Sequence, residues 1–513
     1  MLKDPKDQLN IYSILYNKIP KNHILKVIDS AIDFHHITEL VASSYNKYYG
    51  RPAKNPLLML KLSILQRLYN LSDERVIEEA SLKLAYMWFL GINPDEDLPD
   101  PSLLSKFRVH RLKDITLDEI IVEIVKQCVE KGIIDDTGIS IDTTHTHANT
   151  FKAVPERVMK HMVQNIFKSY KSEVGDLPEE SNEEIPEYKE IKDHKEAKQV
   201  MKGYLEEEMK KIENTVSVAN HPKIHQELER AKEILQDPKF IEQRGVRSLI
   251  DQDARVGHKS KNENFFGFKT EIMMTTKSRI ITGLTVGNGA YVDGTRFEEL
   301  LDSTMKSGLD LRDVFGDKAY FRKIILDAIV KNGLTSYIPV SEMAYKIDED
   351  RFAYNKDSDE WFCIQGNKSI KRKHRKDKSG KQTYKYYFEK ELCRHCPNRP
   401  ECIKRSSGVG KILEVGINTM EFYAQSQLQK SELFKEKYKE RASLEWKNGE
   451  LKNHHGLDRA RGYGLKSMST QAKLTAIAVN LKRIAGILSS KLTFQIEFFR
   501  YFCKFYADLR LIA

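Results

Sequence analysis

Tyr438, Arg441, Glu445 and Lys452 stand at offsets of 0, 3, 7 and 14 along the chain. At about 100° per helical residue they fall within one arc of about 60°. One helix face would then carry a phenol, a guanidinium, a carboxylate and an ammonium in a row. Arg forks onto phosphate oxygens, Lys binds them as a point charge, and the carboxylate can complete a metal site. The competing reading is a solvated ladder of i,i+3 and i,i+4 charge pairs, which charge-rich helices supply in number. Trp446, beside Glu445, reads as a packing residue, with stacking on an unpaired base as the alternative use.

Two aspartates offer partners for that face. Gly138-Ile-Ser-Ile-Asp142 alternates like a half-buried strand and ends in a carboxylate, and Asp313-Val-Phe-Gly-Asp317 reads the same way. Ligands gather outside the carboxyl ends of strands in open α/β sheets, so Asp142 and Asp317 are placed to converge on a divalent cation. A strand-ending Asp also serves as an ordinary turn or helix cap. His145 and His147 follow Asp142 in an Asp-x2-His-x-His pattern that allows a transition-metal phosphohydrolase site instead. Farther on, Cys393-x2-Cys396 with Cys363 and Cys402 is a candidate tetrahedral zinc site, against reduced, unligated thiols.

The elements that must position these groups follow from pattern. The chain has 513 residues, 40% hydrophobic and 31% charged, so two or more soluble globular domains are expected. No apolar run is long enough to span a membrane, and the start lacks the apolar core of a secretory signal, so a cytoplasmic protein with no membrane partner is expected. The net charge is +10. It is concentrated between Lys368 and Lys390, where ten Lys or Arg face two acids and tyrosines are interleaved. That segment reads as a phosphate-binding finger or a flexible charged loop.

Residues 1–130 read as helical, with Ser72 and Asp100-Pro101 as helix starts. Ser102 to Arg111, with Lys106 and Arg108, would suit the basic helix of a helix-turn-helix DNA reader, or the solvated face of a plain bundle. From residue 131 an α/β pattern begins: strand–Asp142, two more strands, a helix with Asp293 as cap, then strand–Asp317. The polar, helical stretch of about 150–250 and the Cys-containing basic stretch of about 340–413 interrupt it. Helical pattern resumes to 488, and 489–513 is an aromatic-rich segment.

Tyr438-x2-Arg441-x3-Glu445-x6-Lys452 resembles the Tyr-Arg-Glu-Lys signature of bacterial insertion-sequence transposases of the DDE type, at all four positions and all three spacings. Ser-Ile-Asp142-Thr-Thr-His is similar to the first catalytic Asp of that family, and Gly316-Asp317-Lys-Ala-Tyr320 to the second. Gly50-Arg-Pro-Ala-Lys-Asn-Pro, Tyr86-Met-Trp-Phe-Leu-Gly91 and Pro99-Asp-Pro-Ser resemble the helical domain that precedes the catalytic core in one branch. Asp251-Gln-Asp-Ala-Arg255 and His455-Gly-Leu-Asp-Arg-Ala-Arg461 also fit. The likeness runs from about residue 15 to 488.

The resemblance implies a ribonuclease H-like core, a mixed sheet with flanking helices, carrying a helical and a Cys-containing insertion behind an all-α DNA-binding domain. It implies Asp142, Asp317 and Glu445 as catalytic ligands of Mg²⁺ or Mn²⁺. Tyr438, Arg441, Lys452, Arg459 and Arg461, with Lys106 and Arg108, would contact DNA. The reaction would be cleavage at an element's ends and strand transfer into target DNA by an oligomer, nucleoid-associated when bound. The alternatives are a catalytically dead DNA-binding relic, or a metal-dependent nuclease or phosphohydrolase using the histidines.

Overall fold

The computed structural model describes residues 11–45, 53–242, 245–259, 262–377, 380, 382–403 and 410–512, with the backbone alone at residues 11, 239, 241 and 492–512. Gly50-Arg-Pro and the aromatic side chains of 492–513 lie outside the described residues.

Up to Glu130 the described regular elements are all helices. Helix α1 (Pro56–Leu68) starts on Asn55, whose side chain accepts the N–H of Leu57, with Pro56 in the first turn. Other helices surround it, so even its polar residues Lys61, Gln66 and Arg67 are buried. Helix α2 (Asp73–Leu82) is capped by Ser72, whose hydroxyl accepts the N–H of Arg75 at 3.1 Å. Asp100 caps α3 (Pro101–His110) through the N–H of Ser102 at 2.9 Å. These starts lie where side-chain chemistry placed them. Helix α4 (Asp114–Glu130) leads into the sheet.

The sheet is built on β1 (Gly138–His147). On one side β1 pairs antiparallel with β3 (Asn264–Thr275), whose far edge is shared end to end by β2 (Arg255–His258) and β4 (Ile281–Asn288). On the other side β1 pairs parallel with β5 (Asp313–Phe315), and β5 with β6 (Thr335–Tyr337). One corrected expectation concerns Asp142, which lies within its strand. The twelve residues of β3 carry the antiparallel ladder on to His147↔Gly267, while the parallel ladder stops at Ser140↔Phe315. Asp142 is therefore two residues beyond the last parallel pair, and so is Asp317.

Between β1 and the rest of the sheet, helices α5 (Pro155–Glu173), α6 (His194–Thr215) and α7 (Pro222–Gln236) close around their own cluster, including Met159, Ile166, Leu205 and Leu228. Helices α8 (Phe297–Met305) and α9 (Lys323–Lys331) pack on Ile139, Ile141 and Met273. Asp293 does not cap α8: Arg296 occupies that position without a side-chain bond, and Asp293 is held by Lys269 at 2.9 Å. The last helices are α10 (Ser443–His455) and α11 (Gly464–Ile512). One continuous cluster joins the N-terminal helices, Phe268, Ile272 and Met274 of β3, and Leu474 to Ala485 of α11.

The basic segment is a three-stranded antiparallel sheet, β7 (Ser369–Lys376), β8 (Gln382–Phe388) and β9 (Ile412–Gly416). Tyr386, Leu413 and Val415 are buried beside Trp361, which fixes the inner face. Period 2 then turns Lys371, Lys373 and Arg375 to the opposite, open face. The chain is thus a mixed α/β protein with helices on both faces of its sheet.

Candidate active site

Asp142 and Asp317 sit side by side because their strands are parallel neighbours in register. Asp317 accepts the N–H of Ala319 at 2.8 Å and so caps the short 3₁₀ turn Lys318–Tyr320. That turn buries Tyr320, whose hydroxyl lies 2.9 Å from Thr143 Oγ1. Burial pushes the Asp142 carboxyl up to about 6; Arg441 opposes the shift, and the like charges of Asp317 and Asp293 add to it. Glu271, opposite Thr143 on β3, is fully buried and accepts from Tyr291 Oη at 2.7 Å and Gly294 N–H at 2.5 Å. Burial raises its carboxyl as well. It fixes the segment 291–294 that leads into α8.

The signature residues do not lie on one uniform helix. Tyr438–Ala442 is a 3₁₀ turn that runs into α10. With three residues per turn, Tyr438 and Arg441 eclipse each other, which keeps them on one side. Tyr438 stacks on Phe434 at 5.7 Å, and burial raises its phenol, with Arg441 opposing and Asp317 adding to the shift. Arg441 Nη1 is 3.7 Å from Glu445 Oε1. One turn on, Asn448 Nδ2 donates to Asp142 Oδ2 at 3.2 Å, and Lys452 Nζ is 3.3 Å from His145 Nδ1. Burial and then Lys452 push His145 down to about 4, so its imidazole is neutral at physiological pH. Burial also lowers the Lys452 ammonium.

The face predicted from spacing therefore does lie along β1, with Tyr438, Arg441 and Asn448 at the aspartates and Lys452 farther down. Glu445 stands at its rim, 70% exposed. Two buried atoms here, Arg441 Nε and Asn448 Oδ1, have no protein partner. Among the described residues no three His, Cys, Asp or Glu side chains are gathered into a cage for a metal ion. Asn448 and Glu271 were missed from sequence. Asn448 lies at about −80° on the wheel that places the signature, just outside its arc. Glu271 carries no local signal.

Residues 362–485 match the family described as "Transposase DDE domain", and residues 13–110 match that described as "Transposase domain (DUF772)". Together the two matches support an insertion-sequence DDE transposase. No curated protein and no solved structure matches it. The first match takes in Tyr438 to Lys452 and the cysteines, and neither match reaches Asp142 or Asp317.

The remaining candidate residues are scattered by the fold. Arg459 is exposed at the end of β1, where its backbone bridges to His147. Arg108 is forked on Asp73, at 2.5 Å and 2.9 Å, and Arg461 holds Asn70 and the carbonyl of Leu71. Lys106 is exposed on α3. Trp446 is 75% exposed, which overturns the packing reading and leaves its indole open to solvent. Gly456 ends α10 in the left-handed region (φ 68°), where a Cβ would run into Asn70 Oδ1, so α10 and the loop after α1 touch closely.

Cys363, Cys393, Cys396 and Cys402 are reduced and half-buried around one cavity of about 260 Å³. Burial raises the Cys402 thiol; Lys411 opposes that, and the other three cysteines add to it.

Proposed function

We propose that this transposase cleaves DNA at the ends of its element and joins the freed 3′ ends to target DNA, with Asp142, Asp317 and Glu445 holding Mg²⁺ or Mn²⁺. The observation that carries this reading is the register that sets Asp142 beside Asp317 under the Tyr438–Lys452 segment. The strand order, with β3 and its shared edge strands β2 and β4 in antiparallel pairing on one side of β1 and β5 and β6 in parallel pairing on the other, supports a ribonuclease H-like core. Hard carboxylate oxygens are the donors that such cations take, and the partnerless Arg441 Nε and Asn448 Oδ1 leave the site polar and unsaturated. Divalent ions, when bound, supply charge neutralisation and Lewis acidity to the attacking and leaving oxygens.

The chain's own residues do the rest. Arg441 faces the aspartates and would neutralise the scissile phosphate. Tyr438 would hold a neighbouring phosphate oxygen through a phenol that stays protonated. Lys452, set against a neutral His145, would fix the strand farther along. Asn448 orients the Asp142 carboxylate. The cation at 3.3 Å from His145 disfavours a histidine-ligated phosphohydrolase.

The test is cleavage of a linear duplex carrying the gene's own flanking sequences, with Mg²⁺. Cuts confined to the two flanks are the expected result. Specific binding without cutting in any metal would mark a relic, and cutting regardless of flank a general nuclease. Assembly as a homo-oligomer that pairs two ends is part of the same reading.

We assign Cys363, Cys393, Cys396 and Cys402 to a structural Zn²⁺ on the chemistry of four thiols around one cavity; they are not gathered into a cage, so the ion would have to draw them together. Metal analysis of the purified chain should find about one zinc per chain, and Cys396→Ser should release it. A zinc-free, equally protease-resistant wild type would end that assignment.

The open face of β7 would lie on DNA phosphates, its cations spaced by about 6.8 Å along the strand. Replacing Lys371, Lys373 and Arg375 by Ala should lower the log–log salt slope of DNA binding by about 2 to 3, at about 0.9 per phosphate contact. An unchanged slope would remove this face from the DNA interface.

A further inference from the structure

Arg67 is the odd residue of α1. It is 4% exposed, yet its Nε and Nη1 are buried without a hydrogen-bond partner. A guanidinium cannot escape by easy deprotonation, so leaving two of its donors dry is costly unless something else meets them. Nearby acceptors are already committed. Asp73 takes the fork of Arg108 and a bond from Gln66, and Asn70 takes Arg461. His455 Nδ1 donates to the Arg67 carbonyl at 2.9 Å, which leaves the guanidinium unmet.

Arg67 lines a cavity of about 760 Å³ between the N-terminal helices and the start of α11, together with Arg108, Arg461 and Lys466. Four cations face it against two acids, Asp73 and Glu74. Burial, and then the charges of Arg461 and Arg108, push the Arg67 guanidinium down to about 9, with only Asp73 opposing. The surplus is positive and the unmade bonds are donors. The missing partner is therefore an oxyanion with several acceptor oxygens.

We propose that this cavity is a phosphate-binding site in which Arg67, backed by Arg108, Arg461 and Lys466, grips one phosphate group. A guanidinium matches phosphate oxygens, so the unmet donors of Arg67 would supply the bonds, while Arg108 and Arg461, already bonded to Asp73, Asn70 and Leu71, and Lys466 add positive charge along the same cavity. The site is separate from Asp142 and Asp317. It joins the region matched to the transposase domain to the helix that follows α10, so a phosphate there would clamp the two together. That the phosphate comes from a DNA backbone rests on the transposase reading; the phosphate site itself does not.

The experiment uses the full chain, inorganic phosphate as probe and a short duplex of the gene's flanking sequence. Phosphate should raise the wild-type Tm beyond sodium chloride at equal ionic strength, and Arg67→Met should abolish that rise while raising the phosphate-free Tm. Lys466→Gln, whose ammonium is exposed, leaves the fold intact and should weaken phosphate binding several-fold. For the duplex, Arg67→Met should lower affinity about tenfold and the salt slope by about one. Phosphate should also compete with the duplex.

Phosphate binding without competition would keep the site but assign it to a free phosphate compound, overturning the DNA source. Absence of a phosphate-specific shift in the wild type, with duplex affinity unchanged in both variants, would overturn the site. None of these measurements needs cleavage, so an inactive chain leaves the result readable.

Discussion

Glu445→Gln should lower single-turnover cleavage by about a thousandfold while DNA affinity changes less than about twofold. Losing one ligand of a catalytic divalent ion removes several kcal/mol of transition-state stabilisation, and each 1.36 kcal/mol is a factor of ten. The fold should not notice: the side chain is 70% exposed and its one ion pair, to Arg441 at 3.7 Å, is loose. Stability should therefore stay within about 0.5 kcal/mol of wild type. Asp317→Asn should behave alike, since Asn still accepts the N–H of Ala319 as a cap. The separation of cutting from binding is the diagnostic. Cleavage surviving within tenfold of wild type in Glu445→Gln would remove Glu445 from the site and leave the two aspartates without their third ligand.

Asp142→Asn should also abolish cleavage, but it should make the metal-free protein more stable. The folded carboxyl has a pKa of about 6, raised above its ordinary value of 3.8 by burial and by Asp317 and Asp293. Ionising it in the folded state therefore costs about 3 kcal/mol at 1.36 kcal/mol per pKa unit, and loss of charge on the bond from Asn448 leaves a net gain of about 2. The sign fixes the pH window. A raised carboxyl contributes its stability below about 4, where it is protonated in both states, and loses it as pH rises through 6. The variant's advantage in Tm should be absent near pH 4, grow to pH 6 and stay level above it, measured in a chelator. Mg²⁺ should then stabilise the wild type and not the variant. An Asn variant less stable than wild type at pH 8 would show that the protein's own groups, Arg441 among them, already meet the charge without a divalent ion.

Much of this molecule is written locally. Asp100 before Pro101, and Ser72 three residues before Arg75, start helices because a short side chain meets an orphan N–H within one turn. The alternation of Gly138 to Asp142 marks a strand, and Cys393-x2-Cys396 with two outlying cysteines marks a cluster that does line one cavity. The Tyr438, Arg441, Glu445 and Lys452 spacing survives even a 3₁₀ turn, because i,i+3 positions stay together in both helix types.

Other features depend on partners far away in the chain. How far β1 runs past Asp142 is settled by the length of β3, more than a hundred residues later. The neighbourhood of Asp142 and Asp317 is settled by the register of β5. Arg108 reads as a free DNA contact until Asp73 folds against it, and Trp446 reads as core until α10 turns it outward. Arg67 sits in a run of leucines that predicts only a buried helix. That two of its guanidinium nitrogens would be left without an acceptor beside the cavity between α1 and the start of α11 follows from tertiary packing alone. Caps and periodicity are energies of neighbours in sequence, so sequence carries them; desolvation and charge pairing are energies of neighbours in space, and only the fold brings those together.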